Sequence, residues 1–307
     1  EKYMNKNIKL AVAGAVLALS ASAANAGIII PAGEWTLDIN GNVNAFAAWN
    51  KSDHNNTVTG GIATVKDAAS EKNTQGITTG LLPSWLGVTG KTRQNDLDVA
   101  FTISINPGSS TSQGGRQSAQ QENRQAFLTF GDKSWGSIKI GKDLGVFASD
   151  AILNDMTLLG VGSGGGLNST INSTNGGIGT GYIYAAWKGQ VAYTTPNFNG
   201  FQATVGITNP NQGLSQTGAS SSLDTLNQDR FGLEGQANYA FAADNFSGKV
   251  WVGGASYKVK TTSAIEYSAT AADVGVNLNA GNVGLTGYYY VGEGAGTTFM
   301  LGNGYDK

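Results

Sequence analysis

Leu97-Asp98-Val99-Ala100-Phe101-Thr102-Ile103-Ser104-Ile105 is apolar at every odd position, while Asp98, Thr102 and Ser104 share the even positions with Ala100. Successive side chains of a β-strand point to opposite faces, so this segment carries one greasy face and one polar face. The pattern spreads outward from it in both directions. Towards the N-terminus, Trp35, Leu37, Ile39, Val43 and Ala45 alternate with Thr36, Asp38, Asn40, Asn42 and Asn44. Towards the C-terminus, Phe231, Leu233, Ala237, Tyr239 and Phe241 oppose Arg230, Glu234, Gln236 and Asn238. Further on, Val274, Val276 and Leu278 oppose Asp273, Gly275, Asn277 and Asn279.

About eleven such segments can be counted, near residues 35–49, 83–91, 97–106, 123–131, 136–142, 180–194, 200–208, 229–242, 247–260, 264–280 and 283–291. Several are about ten residues long, the length of a tilted strand that crosses a hydrocarbon core. Short connections span Asp132 to Trp135, Pro196 to Gly200, Ala243 to Asn245 and Gly281 to Asn282, and long ones cover 50–82, 107–122, 143–179 and 209–228. Tight turns at one end and long loops at the other are the asymmetry of an up-and-down transmembrane barrel. A soluble sandwich also alternates, but its loops seldom divide so regularly by end. In lipid every backbone N–H and C=O has to be paired, which leaves helices or closed barrels as spanning structures. No stretch after the N-terminus approaches the ~18 apolar residues of a helical span. The expected fold is all-β, a transmembrane antiparallel up-and-down barrel whose polar faces line a watery lumen.

Composition agrees. Of 307 residues 45 are Gly, a poor helix former. A formal net charge of −2 excludes a basic nucleic-acid binder. The absence of Cys and the single His exclude a disulfide scaffold, thiol catalysis and any site needing two imidazoles, so no metal or cofactor is expected. Lys6 and Lys9 precede an apolar run from Leu10 to Leu19 and then Ala24-Asn25-Ala26. This is the layout of a secretory signal peptide, with cleavage expected between Ala26 and Gly27. Residues 1–26 are thus read as upstream residues plus signal, and 27–307 as the barrel.

Three stretches carry a family resemblance. They are Asn123-Arg124-Gln125-Ala126-Phe127-Leu128-Thr129-Phe130 followed by Gly136-Ser137-Ile138-Lys139-Ile140-Gly141-Lys142, then Trp85-Leu86-Gly87-Val88-Thr89-Gly90-Lys91, and Tyr193-Thr194-Thr195-Pro196-Asn197-Phe198-Asn199-Gly200-Phe201. Together they resemble the Gram-negative general diffusion porins. The resemblance implies an outer-membrane homotrimer in contact with lipid, passing small hydrophilic solutes and ions through a water-filled pore. It also implies sixteen strands, so that about eleven segments and an ending at Asp306-Lys307 would mark an incomplete C-terminus.

The resemblance places a constriction loop at about 143–179, with Asp155 of Asp155-Met156 facing a basic wall that includes Arg124. Leu159 falls where a second loop carboxylate would stand, and Trp85 where a wall arginine would, which weakens the field across the opening. Alternation turns Lys91 and Lys139 inward; Arg93 and Lys142 are further basic candidates near strand ends, and Asp150 a further acidic one. Loop 107–122 falls where the family has its subunit-latching loop.

Catalytic patterns do not hold up. Gly160, Gly162 and Gly165 satisfy G-x-G-x-x-G without a βαβ context, and Gly136 to Lys142 mimics a phosphate loop with Asp143 in place of the Ser or Thr. His54 beside Asp53 lies in a long polar loop, so no enzyme is expected. A solute-specific channel and a non-conducting adhesin or structural barrel remain alternatives to a general pore.

Overall fold

The computed structural model describes residues 28–51, 73–79, 82–107, 122–156, 158, 182–209, 230–260 and 266–295. The expected signal cleavage site at Ala26 and Gly27, loop residues 108–121 and 159–181, and His54 lie outside them. The strands are β1 (Ile28–Ala32), β2 (Trp35–Asn42), β3 (Ala45–Lys51), β4 (Asn73–Thr79), β5 (Trp85–Gln94), β6 (Leu97–Asn106), β7 (Glu122–Asp132) and β8 (Gly136–Leu144), followed by a short helix α1 (Ser149–Leu153). Then come β9 (Trp187–Thr194), β10 (Phe201–Thr208), β11 (Gly232–Ala243), β12 (Phe246–Lys260), β13 (Glu266–Ala280) and β14 (Val283–Glu293). Twelve strands form one antiparallel sheet in the order β1-β2-β5-β6-β7-β8-β9-β10-β11-β12-β13-β14, and β3 and β4 pair as a separate ribbon. Among the described residues no helix is long and apolar enough to cross a membrane.

The alternating segments are strands, with four differences from the sequence reading. Strand β1 joins the sheet ahead of Trp35, and β4 lies within 50–82, a range read as loop. Segment 35–49 is two strands, because at Asn44 the backbone N–H turns to the Ser84 hydroxyl at 2.9 Å and the side-chain amide to the Leu82 carbonyl at 2.6 Å. Segment 180–194 enters the ladder only at Trp187, because Tyr182 to Ala186 bury their apolar groups alternately against the inner wall and against the short helix. The turn between β5 and β6 places Asn95 and Asp96 at φ 49° and 62°. Left-handed backbone at both central residues is the two-residue turn that matches strand twist.

The sheet rolls. Nine inter-strand steps separate β5 from β14, which laid flat would span about 43 Å. Yet Thr286 of β14 donates to the Asn154 carbonyl at 3.2 Å, and four residues later the Leu158 carbonyl accepts the Leu82 N–H at 3.4 Å, three residues before β5. Those seven chain steps reach at most about 25 Å. The sheet is therefore curved into a barrel wall with the loop inside it.

The two faces of the wall are inverted relative to a soluble protein. Leu86, Ile103, Ile140, Val205, Val252, Val274 and Leu285 are exposed on the outside. The inner face carries hydrogen-bonded polar pairs, such as Thr89 with Thr102 at 3.0 Å and Ser104 donating to Gln125 at 2.8 Å. Apolar outside and polar inside is the requirement of a barrel in lipid.

Candidate functional site: the lumen and its loop

The loop begins where β8 ends at Leu144. Gly145 N–H donates to the Ala186 carbonyl at 2.8 Å, which ties the outgoing and returning legs together. Ala148 then takes a left-handed φ of 64°, turning the chain inward, and α1 follows. Phe147, Ala148, Ile183 and Ala185 of the two legs pack on Ala255, Tyr257, Ala269 and Ala271 of the inner wall. A second cluster joins Ala151 of α1 to Tyr182, Tyr184 and Ala186, with Tyr288 of β14 against it. Close approach depends on glycine at Gly232 and Gly275, where a Cβ would collide with the rings of Tyr257 and Trp251.

Besides the Thr286 bond to Asn154, polar side chains hold the loop to the wall and to itself. The Glu234 carboxylate of β11 is fully buried, accepts the Phe147 N–H at 2.9 Å, and accepts from Lys188 at 2.6 Å, from Thr208 at 3.3 Å and from the Tyr257 hydroxyl. Asp150, on α1, forms an ion pair with Lys249 of β12 and accepts from Gln236 of β11 at 2.7 Å. Tyr182 donates to Asp155 at 2.8 Å. Burial, reinforced by the Asp155 carboxylate, pushes the Tyr182 phenol above its usual range, so it stays protonated and donating.

A curved antiparallel sheet, greasy outside, with a loop seated on its inner wall is the architecture of an outer-membrane pore, and the sequence comparison decides the family. The family model for Gram-negative porins matches residues 12–305. The chain belongs to the Gram-negative porins. Its fold is similar to that of the outer membrane channel DcaP of Acinetobacter baumannii, at 16% identity and a TM-score of 0.56, over 88% of this chain and 67% of that one. It is also similar to Salmonella typhi OmpF, solved in complex with daunomycin, at 15% identity and a TM-score of 0.53, over 89% of this chain and 72% of that one. No curated protein sequence gives a significant match. As a porin, the chain is an outer-membrane channel protein for the diffusion of small solutes.

The porin's expected site residues fall into distinct places. Arg124 lies at a bulge, since Ser104 pairs with Gln125 and Ile105 with Asn123. The extra residue breaks the period-two pattern and explains why parity alone could not orient it. Its guanidinium is stacked between Trp85 at 5.1 Å and Trp187 at 4.5 Å, so the tryptophan standing where a wall arginine was expected holds the remaining arginine. Lys91 and Lys139 both face inward, on one ladder row that runs Lys91, Ala100, Thr129, Lys139. Lys139 pairs with Asp143.

Arg93 sits at the short-turn end, bonded to Asp98 at 2.8 Å and Asp132 at 2.9 Å, and with Lys91 lines a cavity of about 840 Å³ there. Lys142 departs from the reading as a wall charge. It shares the outward parity of Ile138 and Ile140, and its ammonium reaches the Asn123 carbonyl at 2.5 Å. Asp150 is brought to Lys249 rather than to any of the expected basic residues. Sequence reasoning missed Glu234, Lys188, Lys249 and Tyr257 as a group. Alternation had placed Glu234 and Gln236 on the polar face, but nothing local joined them to partners tens of residues away.

Proposed function

We propose that the loop after Leu144 is the constriction of an aqueous channel, with Arg124, Lys91 and Lys139 on the wall and Asp155 on the loop as the charges a passing solute meets. The observation that carries this reading is the loop's path across the inside of the rolled sheet, from Phe147 against Glu234 to Asn154 against Thr286 and Leu158 against Leu82. A loop in that position narrows the pore, which then works by size exclusion first and by charge second.

Charge discrimination is expected to be weak. Lys139 is matched by Asp143, Lys249 by Asp150 and Lys188 by Glu234. Each pair cancels its own far field, leaving Lys91 as an inward cation with no ion-pair partner among the described residues. The reading includes export by a signal peptide cut between Ala26 and Gly27, assembly as a homotrimer, and no catalytic activity.

Reconstitution into a planar bilayer tests it. Stepwise ohmic conductance is the expected result. Saturation by one solute supports a solute-specific channel, and absence of conductance supports an adhesin or structural barrel. If Asp155→Asn and Arg124→Ala both leave conductance and ion selectivity unchanged, the assignment of those two residues to the constriction fails.

A further inference from the structure

We propose that Glu234 is the positioning residue of the constriction loop, acting through the Phe147 amide. The inference rests on the reading of that loop as the constriction. Two of its observations are independent of that reading. The first is where Phe147 stands. It follows β8 by three residues, between the Gly145 to Ala186 bond that closes the loop's root and the left-handed Ala148 at which the chain turns inward. An amide leaving a sheet has lost its ladder partner, and an unsatisfied buried N–H costs free energy comparable to a lost hydrogen bond. Glu234 Oε2 supplies the acceptor at 2.9 Å, across a gap of 87 residues.

The second observation is the division of labour within the carboxylate. Oε2 takes the loop amide, while Oε1 takes Lys188, Thr208 and the Tyr257 hydroxyl. Wall residues on β9, β10 and β12 thus fix one edge of the carboxylate, and the other edge fixes the loop. A non-Gly residue held in left-handed backbone persists only where the surroundings over-determine it. Ala148, wholly buried, is held on one side by this bond at Phe147 and on the other by Asp150. Removing the acceptor frees the turn at which the loop enters the lumen.

Removing Glu234 alone would strand Lys188, so the test uses two double variants that both lack the buried charge pair. In Lys188→Met with Glu234→Gln, the side-chain oxygen still accepts from Phe147, and its NH2 donates to the hydroxyl oxygens of Tyr257 and Thr208. In Lys188→Met with Glu234→Leu the acceptor is gone. Strand content and heat-modifiable mobility in detergent establish that each is folded. The readouts are single-channel conductance with polymer size exclusion, and hydrogen exchange of the 145–153 segment. The Gln pair is expected to match wild type in all three. The Leu pair is expected to exchange in that segment faster by about tenfold, the loss of roughly one buried hydrogen bond. It should also give a larger, noisier conductance with a higher size cut-off.

Equal behaviour of the Gln and Leu pairs overturns the proposal, whether both resemble wild type or both lose protection. A wild-type chain that forms no conducting channel defeats the constriction reading instead, and the exchange contrast between the two pairs then still decides whether Glu234 anchors the loop.

Discussion

One row of cross-strand partners crosses the inner wall from Thr36 through Lys91, Ala100, Thr129 and Lys139, and continues through Ala192, Gly206, Glu234, Ala255, Ala271 and Gly292. All face the same side of the same sheet, yet the two halves differ in kind. The first half carries Thr or Lys at every position but Ala100, and all but Lys139 line the open cavity at the short-turn end. The second is almost wholly Ala and Gly, and the loop packs on its Ala255 and Ala271. The small residues under the loop are its imprint, because a wall that is covered from inside has to leave room for what covers it. The one large residue in that half, Glu234, is the one that bonds the loop.

The largest effect should come from setting a covered ion pair against an open one. Glu234→Ala leaves the Lys188 ammonium buried without its counter-charge, which is expected to cost about 3–5 kcal/mol. Arg93→Ala breaks bonds to Asp98 and Asp132 in an exposed place. Exposed ion pairs contribute little because water screens them. Denaturant midpoints in detergent should drop sharply for the first and stay at the wild-type value for the second. Equal drops would mean that the two halves of the wall are not energetically different.

Next comes a test of volume along the row itself. Ala271→Leu inserts three heavy atoms where the loop already fills the space, and overpacking of this kind is expected to cost about 1–3 kcal/mol. Ala100→Leu, on the same row in the open half, is expected to be tolerated. The first variant should also change single-channel conductance by displacing the loop, while the second leaves it near wild type. A conductance change in Ala100→Leu alone would reverse the assignment of covered and open halves.

How much of this was written locally follows from the same contrast. Strands and their two faces were legible because alternation is a property of neighbouring residues, as in Leu97 to Ile105. The inward direction of Lys91 and Lys139 came from that parity alone. The bulge at Arg124 was not legible, since one extra residue opposite Ser104 and Ile105 depends on the partner strand. Nor was the role of Tyr182 to Ala186, whose alternation resembles a strand while its apolar groups pack inside the barrel. The Lys188 to Glu234 pair needed the strand order, which sets β9 and β11 on either side of β10. The small residues at Ala255 and Ala271 on the inner face were not read from the sequence either. Only the loop packed on them gives their size a reason.

A smaller effect is expected within the loop. Tyr182→Phe removes the donor to Asp155 and leaves the ring packed on Ala151 and Ala186. One hydrogen bond contributes about 1 kcal/mol, so the denaturant midpoint should fall slightly. Freed of its phenol, the Asp155 carboxylate should present more of its charge to the pore. A modest rise in cation preference, measured as the reversal potential across a salt gradient, is the expected outcome, and a shift towards anions would place Asp155 outside the solute's path.

The least perturbing change to stability is a charge reversal in the open half. Lys91 is exposed, faces the cavity, and has no ion-pair partner among the described residues, so Lys91→Glu breaks no bond and is expected to leave the denaturant midpoint unchanged. Its effect should appear only in selectivity. Fixed charges on a low-dielectric wall bias the local ion concentration at short range, and exchanging a cation for an anion beside the pore favours cations. Lys139→Glu makes the useful contrast, because it faces the same lumen on the same row but would set a second carboxylate against Asp143. If both reversals shift the reversal potential equally and neither lowers stability, then pairing does not mask charge in this lumen, and the weak selectivity proposed for the channel has to be abandoned. A shift for Lys91→Glu alone, with destabilisation confined to Lys139→Glu, would show that each wall charge acts on solutes only to the extent that its neighbour leaves it free.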